Sequence, residues 1–365
     1  MRANNCKGSQ AVLIMKRNFL LAIVAMVLST VLSVGVSAQK TERKVQVAGI
    51  AFYNWENLFD TIPNNPEGRD VEFTPNGPRQ WDGRKYWEKV GNLAYAISQF
   101  ATKTTPIGPA IVGVSEIENR SVMEDVANHE YLKKWNLQVI HHDSPDARGV
   151  DVGMLYNPRY FKPENVTNHR LTAVPFRTRD QMCVVGSLMG QRIAVIVNHW
   201  PSRIGGQEQS EPNRVAAAEL SKSIADSLWR IDPNIGVIIM GDLNDDPHDK
   251  SCAKVIGAKK SPKGVEEHGF FNPFWSKLDS GVGTLAYKSA WNLFDQIILS
   301  GNLVNTGTDT NWTFYEAKVL NFDFLKDTEG TRVGYPKRTY SAGSYLGGYS
   351  DHFPTEVFLR RYVEK

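Results

Sequence analysis

The sequence predicts an α/β fold in which two packed sheets are covered by helices, and three observations carry that expectation. Nine short apolar runs are spread along the chain, several too apolar to have a solvated face. Helical periodicity lies between some of them. Others follow one another with only turns between, which favours antiparallel neighbours over a doubly wound parallel sheet.

In chain order the strand-like runs begin with "VQVAGIAFYNW" (45–55), "AIVGVSEI" (110–117) and "LQVIHH" (137–142). "DVGMLYN" (151–157), "MCVVGSLM" (182–189) and "RIAVIVNHW" (192–200) follow without a helical pattern between them. "IGVIIMGDL" (235–243), "FDQIILS" (294–300) and "TEVFLRRY" (355–362) complete the set. Helices are expected over Arg84 to Phe100, Ser121 to Trp135 and Asn213 to Arg230. With no linker, heptad or internal repeat, residues 45–362 read as a single domain.

The start of the chain reads differently. From Met15, Lys16 and Arg17 precede an apolar stretch that ends at Val36, Ser37 and Ala38. This is the layout of a secretory signal, so residues 1–38 are expected to be removed and the product to be secreted or periplasmic, without a stable membrane span. A retained anchor is the alternative, since the run approaches spanning length. Removal takes away Arg2, Lys7, Lys16 and Arg17 and no acid, which turns 42 basic against 39 acidic side chains into 38 against 39. That balance argues against a broad phosphate-neutralising surface and leaves room for a local basic cleft. Only Cys183 and Cys252 then remain, which excludes a cysteine-based zinc site.

Polar residues collect where the apolar runs end. In "IIMGDLNDDP" (238–247) Gly241 permits a bend, and Asp242 and Asn244, two apart on an extended chain, share one face. Taken alone, the segment is either a set of oxygen ligands on a rigid strand end or a polar turn closed by Pro247. The pattern recurs with Asn54 and Glu56 in "FYNWENLFD", Glu116 in "IVGVSEIENR", Asp151 in "RGVDVGMLYN" and His199 in "VNHWPSR". Asp295 in "NLFDQIILS" and Asp351 with His352 in "GYSDHFPTEV" complete it. Singly, His199 could be a core histidine satisfied by a backbone carbonyl, Asp351 a helix or turn cap and Glu116 a solvated strand end. Carboxylates and imidazoles are poor strand formers and costly to bury, so their common position calls for a shared cause, one open end of a sandwich. Arg203, four residues after His199, is either a bidentate phosphate ligand or a surface arginine.

The motifs "NWEN", "VSEIEN", "NHWPSR", "GDLND", "FDQI" and "SDHFP" together resemble the endonuclease/exonuclease/phosphatase superfamily, from Glu56 to His352. That group includes deoxyribonuclease I-like enzymes, abasic-site endonucleases, inositol polyphosphate 5-phosphatases and bacterial sphingomyelinases. The resemblance implies a four-layer α/β sandwich with two central mixed, largely antiparallel sheets flanked by helices, and divalent-metal-dependent cleavage of phosphate esters. It further implies that Asn54, Glu56, Glu116 and Asp351 surround the metal and that Asp242 and Asn244 orient or deprotonate the attacking water. His352 would touch the phosphate, oriented by Asp295, with His199 as second imidazole and Asp151 as the acid supporting it. Mg2+ suits so sparse a carboxylate set, with Mn2+ or Ca2+ as alternatives. The expected substrate is a phosphodiester, nucleic acid first, cleaved by a monomer. A phosphatase or lipid phosphodiesterase on the same fold, or an inactive binding protein, is the competing reading.

Overall fold

The computed structural model describes residues 43–65, 67–287 and 289–364. The expected leader, residues 1–38, lies outside them. Lys44–Val363 forms one compact unit.

Strands β1 (Arg43–Leu58), β2 (Ile111–Ile117), β3 (Gln138–His141) and β4 (Asp151–Tyr156) come first, interrupted by helices α1 (Gly83–Ser98) and α2 (Arg120–Asn128). β5 (Phe161–His169), β6 (Gln181–Leu188) and β7 (Gln191–His199) lead into helix α3 (Gln207–Ile231) and β8 (Gly236–Asp242). The short β9 (Ala258–Lys259) and β10 (Phe270–Phe271) and helix α4 (Phe274–Asp279) precede the hairpin of β11 (Leu285–Tyr287) and β12 (Ala290–Asn292). β13 (Asp295–Ser300), β14 (Thr313–Val319), the hairpin of β15 (Tyr340–Ser341) and β16 (Ser344–Tyr345), and β17 (Thr355–Glu364) end the chain.

Two sheets result, ordered β14-β17-β1-β2-β4-β3 and β5-β6-β7-β8-β13-β10-β9. β1 with β2, β7 with β8 and β9 with β10 run parallel. The pairs β2–β4, β3–β4, β14–β17, β5–β6, β6–β7, β8–β13 and β10–β13 run antiparallel. Strand alternation divides the core into layers. Ile50 and Phe52 of β1 face Val195 and Val197 of β7, and Ile238 and Met240 of β8, in the core between the sheets. Ala51, Tyr53 and Trp55 turn the other way onto Val90, Leu93 and Ile97 of α1. On the second sheet, Ile196 and Ile239 pack outward with Ala217, Ala225 and Trp229 of α3. The fold is therefore a four-layer α/β sandwich, as expected.

Asp82 caps α1 by accepting from Lys85 N at 2.9 Å, and Asn119 caps α2 by accepting from Val122 N at 3.2 Å. α2 is shorter than expected: His129 leaves helical geometry with ψ 148°, and Lys133–Trp135 forms a separate 3-10 turn. α3 begins earlier than expected and carries Pro212 in its second turn, where the donor lost would have served the exposed Glu208. β5 and β14 had no apolar run to announce them, because both are sheet edges with largely solvated faces. Cys183 and Cys252 are buried free thiols in the core beneath α3. No helix among the described residues is long and apolar enough to cross a membrane.

Candidate active site

Three adjacent strand ends lay out the centre of the site. The parallel pairing of β7 with β8 sets His199 beside Asp242, and the antiparallel pairing of β13 with β8 sets Asp295 on its other side. Gly241 makes the strand end feasible: its φ is 152°, and a Cβ there would come within 2.2 Å of the Asn198 carbonyl oxygen. The other sheet supplies Asn54 from β1, Glu116 from β2, and Asp351 and His352 from the turn before β17.

Two acids reach the site through irregular backbone. The β1–β2 register shifts between Asn54 and Leu58, and the β2–β4 register between Ser115 and Ile117. Glu56 has φ 45° and Glu116 φ 59°, left-handed values that side chains other than glycine seldom adopt. Such bulges re-aim a side chain at the end of a ladder. Asn244 also has φ 51°, so the chain turns after Asp242 instead of continuing extended. Asp242 Oδ1 accepts from Asn244 N at 3.0 Å, and the Asn244 amide donates to the Trp200 carbonyl at 2.9 Å. The shared face expected of Asp242 and Asn244 is thus replaced by a tight turn.

Asp242 is the hub. Its Oδ2 accepts from Asn54 Nδ2 at 3.0 Å and lies 3.6 Å from His199 Nε2 and 3.9 Å from His352 Nε2. His199 Nε2 is also 3.7 Å from Glu116 Oε1. Burial pushes the Asp242 carboxyl up to about 6, against the opposing pull of His352, and the charges of Asp295 and Glu116 add to the rise. The two imidazoles are driven apart. His199 is held well below its ordinary value by burial, then by Arg179, Arg148 and His352, so it is neutral near pH 7. Burial would do the same to His352. Asp295 Oδ2, 2.7 Å from its Nδ1, and Asp242 outweigh that effect and hold it well above its ordinary value.

The four expected metal ligands fall into two groups. Glu116 and Asn54 stand with Asp242 and His199, and Glu116 Oε2 accepts from Asn57 N at 3.1 Å. Glu56 and Asp351 are tied together by Arg338, which donates to Glu56 Oε1 at 3.4 Å and to Asp351 Oδ2 at 2.6 Å. Glu56 Oε2 also accepts from Thr339 N at 2.6 Å and lies 3.7 Å from the buried Lys89 ammonium. Glu56 is therefore already compensated within the protein, whereas Glu116 and Asp242 share the neutral His199 imidazole, with the half-exposed Arg148 guanidinium at one oxygen of Glu116 and the His352 imidazolium 3.9 Å from Asp242. Two carboxylates and an amide oxygen are the donor set a hard divalent ion takes, and the residues fit one.

Two expected residues lie elsewhere. Asp151 does not support His199, whose buried Nδ1 has no partner; it receives His141 Nε2 at 3.0 Å and Ser144 N at 2.9 Å, because β3 pairs with β4 and brings His141 to its side. Arg203 is turned away from phosphate chemistry. It donates to the Asn244 carbonyl at 2.8 Å and to Asp249 at 2.7 Å, approaches Asp245 and Asp246, and stacks on Phe294 at 4.4 Å. Asp245 is further braced by Arg214 at 2.6 Å, so two of the three aspartates in "GDLNDD" shape the loop.

Sequence reasoning missed the two guanidinium groups that do border the site, Arg338 and Arg148. Arg148, its side chain 49% exposed, donates to Glu116 Oε1 at 3.2 Å. Arg179 braces the end of β7 by donating to the His199 and Trp200 carbonyls at 3.1 and 2.7 Å, with Asp146 as counter-ion at 2.9 Å. "DARGVD" held the only hint of Arg148, three residues before Asp151.

Residues 49–361 match the profile of the Endonuclease/Exonuclease/phosphatase family. No curated protein matches in sequence. Among solved structures, a humanized D. rerio TDP2 is similar over 86% of this chain and 98% of its own, at 12% identity and a TM-score of 0.53. An endonuclease/exonuclease/phosphatase family protein from Bacteroides thetaiotaomicron is similar over 88% of this chain and 97% of its own, at 17% identity and a TM-score of 0.53. A mannosyl-6-phosphatase of the same organism is similar over 86% and 99%, at 17% identity and a TM-score of 0.51. These likenesses establish the fold.

Proposed function

The chain belongs to the Endonuclease/Exonuclease/phosphatase family and is a metal-dependent phosphoester hydrolase, and from that premise we propose that it is an exported phosphodiesterase acting on nucleic acid. Export would rest on residues 1–38 and Mg2+ would be the metal. The observation that carries the reading is the pair of imidazoles on one carboxylate oxygen, His199 Nε2 at 3.6 Å and His352 Nε2 at 3.9 Å from Asp242 Oδ2.

Each group has a duty suited to its protonation. Asp242, with a carboxyl near 6, accepts a proton from the attacking water or anchors it. His352, kept cationic by Asp295, donates to the charge that develops on a non-bridging oxygen. His199 is neutral and contributes a hydrogen bond without charge. Glu116, Asn54 and Asp242 would hold a divalent ion, with Asp351 as a further carboxylate of the site, and such an ion would neutralise charge on the phosphate. One imidazolium beside one neutral imidazole matches the single negative charge of a diester better than the greater charge of a monoester.

A specific observation keeps the phosphatase as a second reading: Arg148 and Arg338 stand beside Glu116, Glu56 and Asp351 and could be recruited by a more highly charged monoester. The test is a hydrolysis panel with added divalent metal: plasmid DNA, RNA, bis-nitrophenyl phosphate, mono-nitrophenyl phosphate, inositol phosphates and sphingomyelin. Diesters are expected to turn over fastest, nucleic acid among them. Faster hydrolysis of a monoester overturns the proposal in favour of the phosphatase, and sphingomyelin as the only cleaved diester removes the nuclease.

A further inference from the structure

β5 and β6 are antiparallel neighbours, yet residues 170–180 lie between them, far more than the about two to five that a hairpin loop needs. The loop is not loose. Leu171 and Val174 sink into the core beneath α3 that also holds Trp200, the residue after His199. Phe176, two residues on, stays 46% exposed, and among the described residues its ring makes no ring or cation–π contact. A fixed loop that buries two apolar side chains and holds out a third presents an aromatic face to solvent. That face lines a cleft of about 460 Å3, together with Pro145, Arg170 and Arg177.

The charge around the cleft is unbalanced. Arg177 donates to Glu67 Oε1 at 3.0 Å and Oε2 at 2.8 Å, and Arg69 donates to the same carboxylate at 3.0 Å. Arg170 lies 3.6 Å from Asp180. Three guanidinium groups thus meet two carboxylates. The pairs of Arg177 and Arg170 are exposed and contribute little, and Arg177 can exchange Glu67 for a phosphate because Arg69 remains to neutralise it. The cleft also adjoins the active site. Pro145 belongs to the loop whose Arg148 reaches Glu116 and whose Asp146 accepts from Arg179, the residue that braces the His199 carbonyl.

We propose that this cleft carries the substrate strand beyond the scissile phosphate, with Phe176 stacked on an unpaired nucleobase and Arg177 and Arg170 on the phosphates that flank it. The inference rests on the nucleic-acid reading of the active site and narrows it to single-stranded substrate. In a duplex each base is already stacked on its neighbours, so only an unpaired base offers a free face to the phenyl ring. Exposed aromatic rings interleaved with cations are the means by which proteins hold single strands without reading their sequence.

The test compares kcat/KM, with added divalent metal, on a single-stranded oligonucleotide, on the blunt duplex of the same sequence and on bis-nitrophenyl phosphate. The single strand is expected to be cleaved faster than the duplex. Phe176→Ala is expected to lower kcat/KM on the single strand by about 5- to 150-fold, the loss of one stacked base, and Phe176→Trp to restore it. Arg177→Gln is expected to reduce the slope of log kcat/KM against log salt concentration by about 0.7, one phosphate contact. None of the three substitutions is expected to change turnover of bis-nitrophenyl phosphate, which has no neighbouring base or phosphate. A Phe176→Ala chain that keeps native kcat/KM on the single strand, or loses the same factor on the duplex or on bis-nitrophenyl phosphate, overturns the subsite and leaves the nuclease reading in place. A native chain that hydrolyses bis-nitrophenyl phosphate and neither oligonucleotide overturns the nuclease reading and the subsite with it.

Discussion

Replacing Asp295 by Asn removes one charge from a fully buried position and preserves its shape. In the folded protein Asp295 Oδ2 lies 2.7 Å from His352 Nδ1, while its Oδ1 has no partner. A hydrogen bond between charged groups contributes about 1.5–3 kcal/mol. Expressed in the transition state, that is a loss of about 10- to 150-fold in kcat/KM. The sign of the pH effect follows from His352, whose folded-state pKa is raised above its unfolded value of ~6.5. The pair therefore stabilises the protein fully below the unfolded value, and the contribution disappears as pH rises through the folded one. Without Asp295, burial pushes the imidazole down, and the alkaline limb of the kcat/KM profile moves to lower pH. The assay is bis-nitrophenyl phosphate hydrolysis across the neutral and alkaline range, with a metal titration at each pH. An unmoved alkaline limb together with metal affinity weakened by about tenfold would refute the reasoning and make the free Oδ1 of Asp295 a metal ligand.

Glu116→Gln keeps the shape and an acceptor for Asn57 N, gives up the acceptor for the half-exposed Arg148, and removes the charge. Activity is expected to fall about a hundredfold or more, with little change in melting temperature; full activity of the native chain in excess chelator contradicts this. Glu356 is a buried acid whose Oε1 has no partner, packed so tightly against Gly49 that a Cβ there would lie 2.3 Å from that oxygen. Burial holds its carboxyl well above the ordinary range, so the folded state binds the proton more tightly than the unfolded chain. The penalty is absent below the unfolded value and complete above the folded one, so stability is lost as pH rises between them. Glu356→Gln is expected to flatten that dependence and add about 1–3 kcal/mol at neutral pH, measured by denaturant melts at acid and neutral pH. An unchanged pH dependence contradicts the assignment.

What the sequence made legible follows from where burial leaves a mark. A strand buried on both faces, such as Gly236–Asp242, must be apolar throughout, so its polar end stands out. His199, Asp242 and Asp295 were each visible at such ends, and pairing of neighbouring strands then brought them side by side. The edge strands β5 and β14 left no such mark. Nor did the bulges at Glu56 and Glu116: their left-handed backbone is imposed by tertiary pairing on residues with no intrinsic preference for it, and glycine, the usual sign, is absent from both positions.

The misplaced arginine marks a different boundary. Arg203 follows His199 closely and was the natural choice of phosphate ligand, but three carboxylates at Asp245, Asp246 and Asp249 compete for it at short range. Those carboxylates were in plain view; which cation would neutralise them was not, because ion pairing is decided by which loops meet. Arg148 and Arg338 come from segments without strand or helix periodicity, and only the folded chain reveals that they face Glu116, Glu56 and Asp351. Since the cations near the phosphate determine whether one or two negative charges are accommodated, the choice between diester and monoester depends on the very residues that sequence periodicity cannot locate.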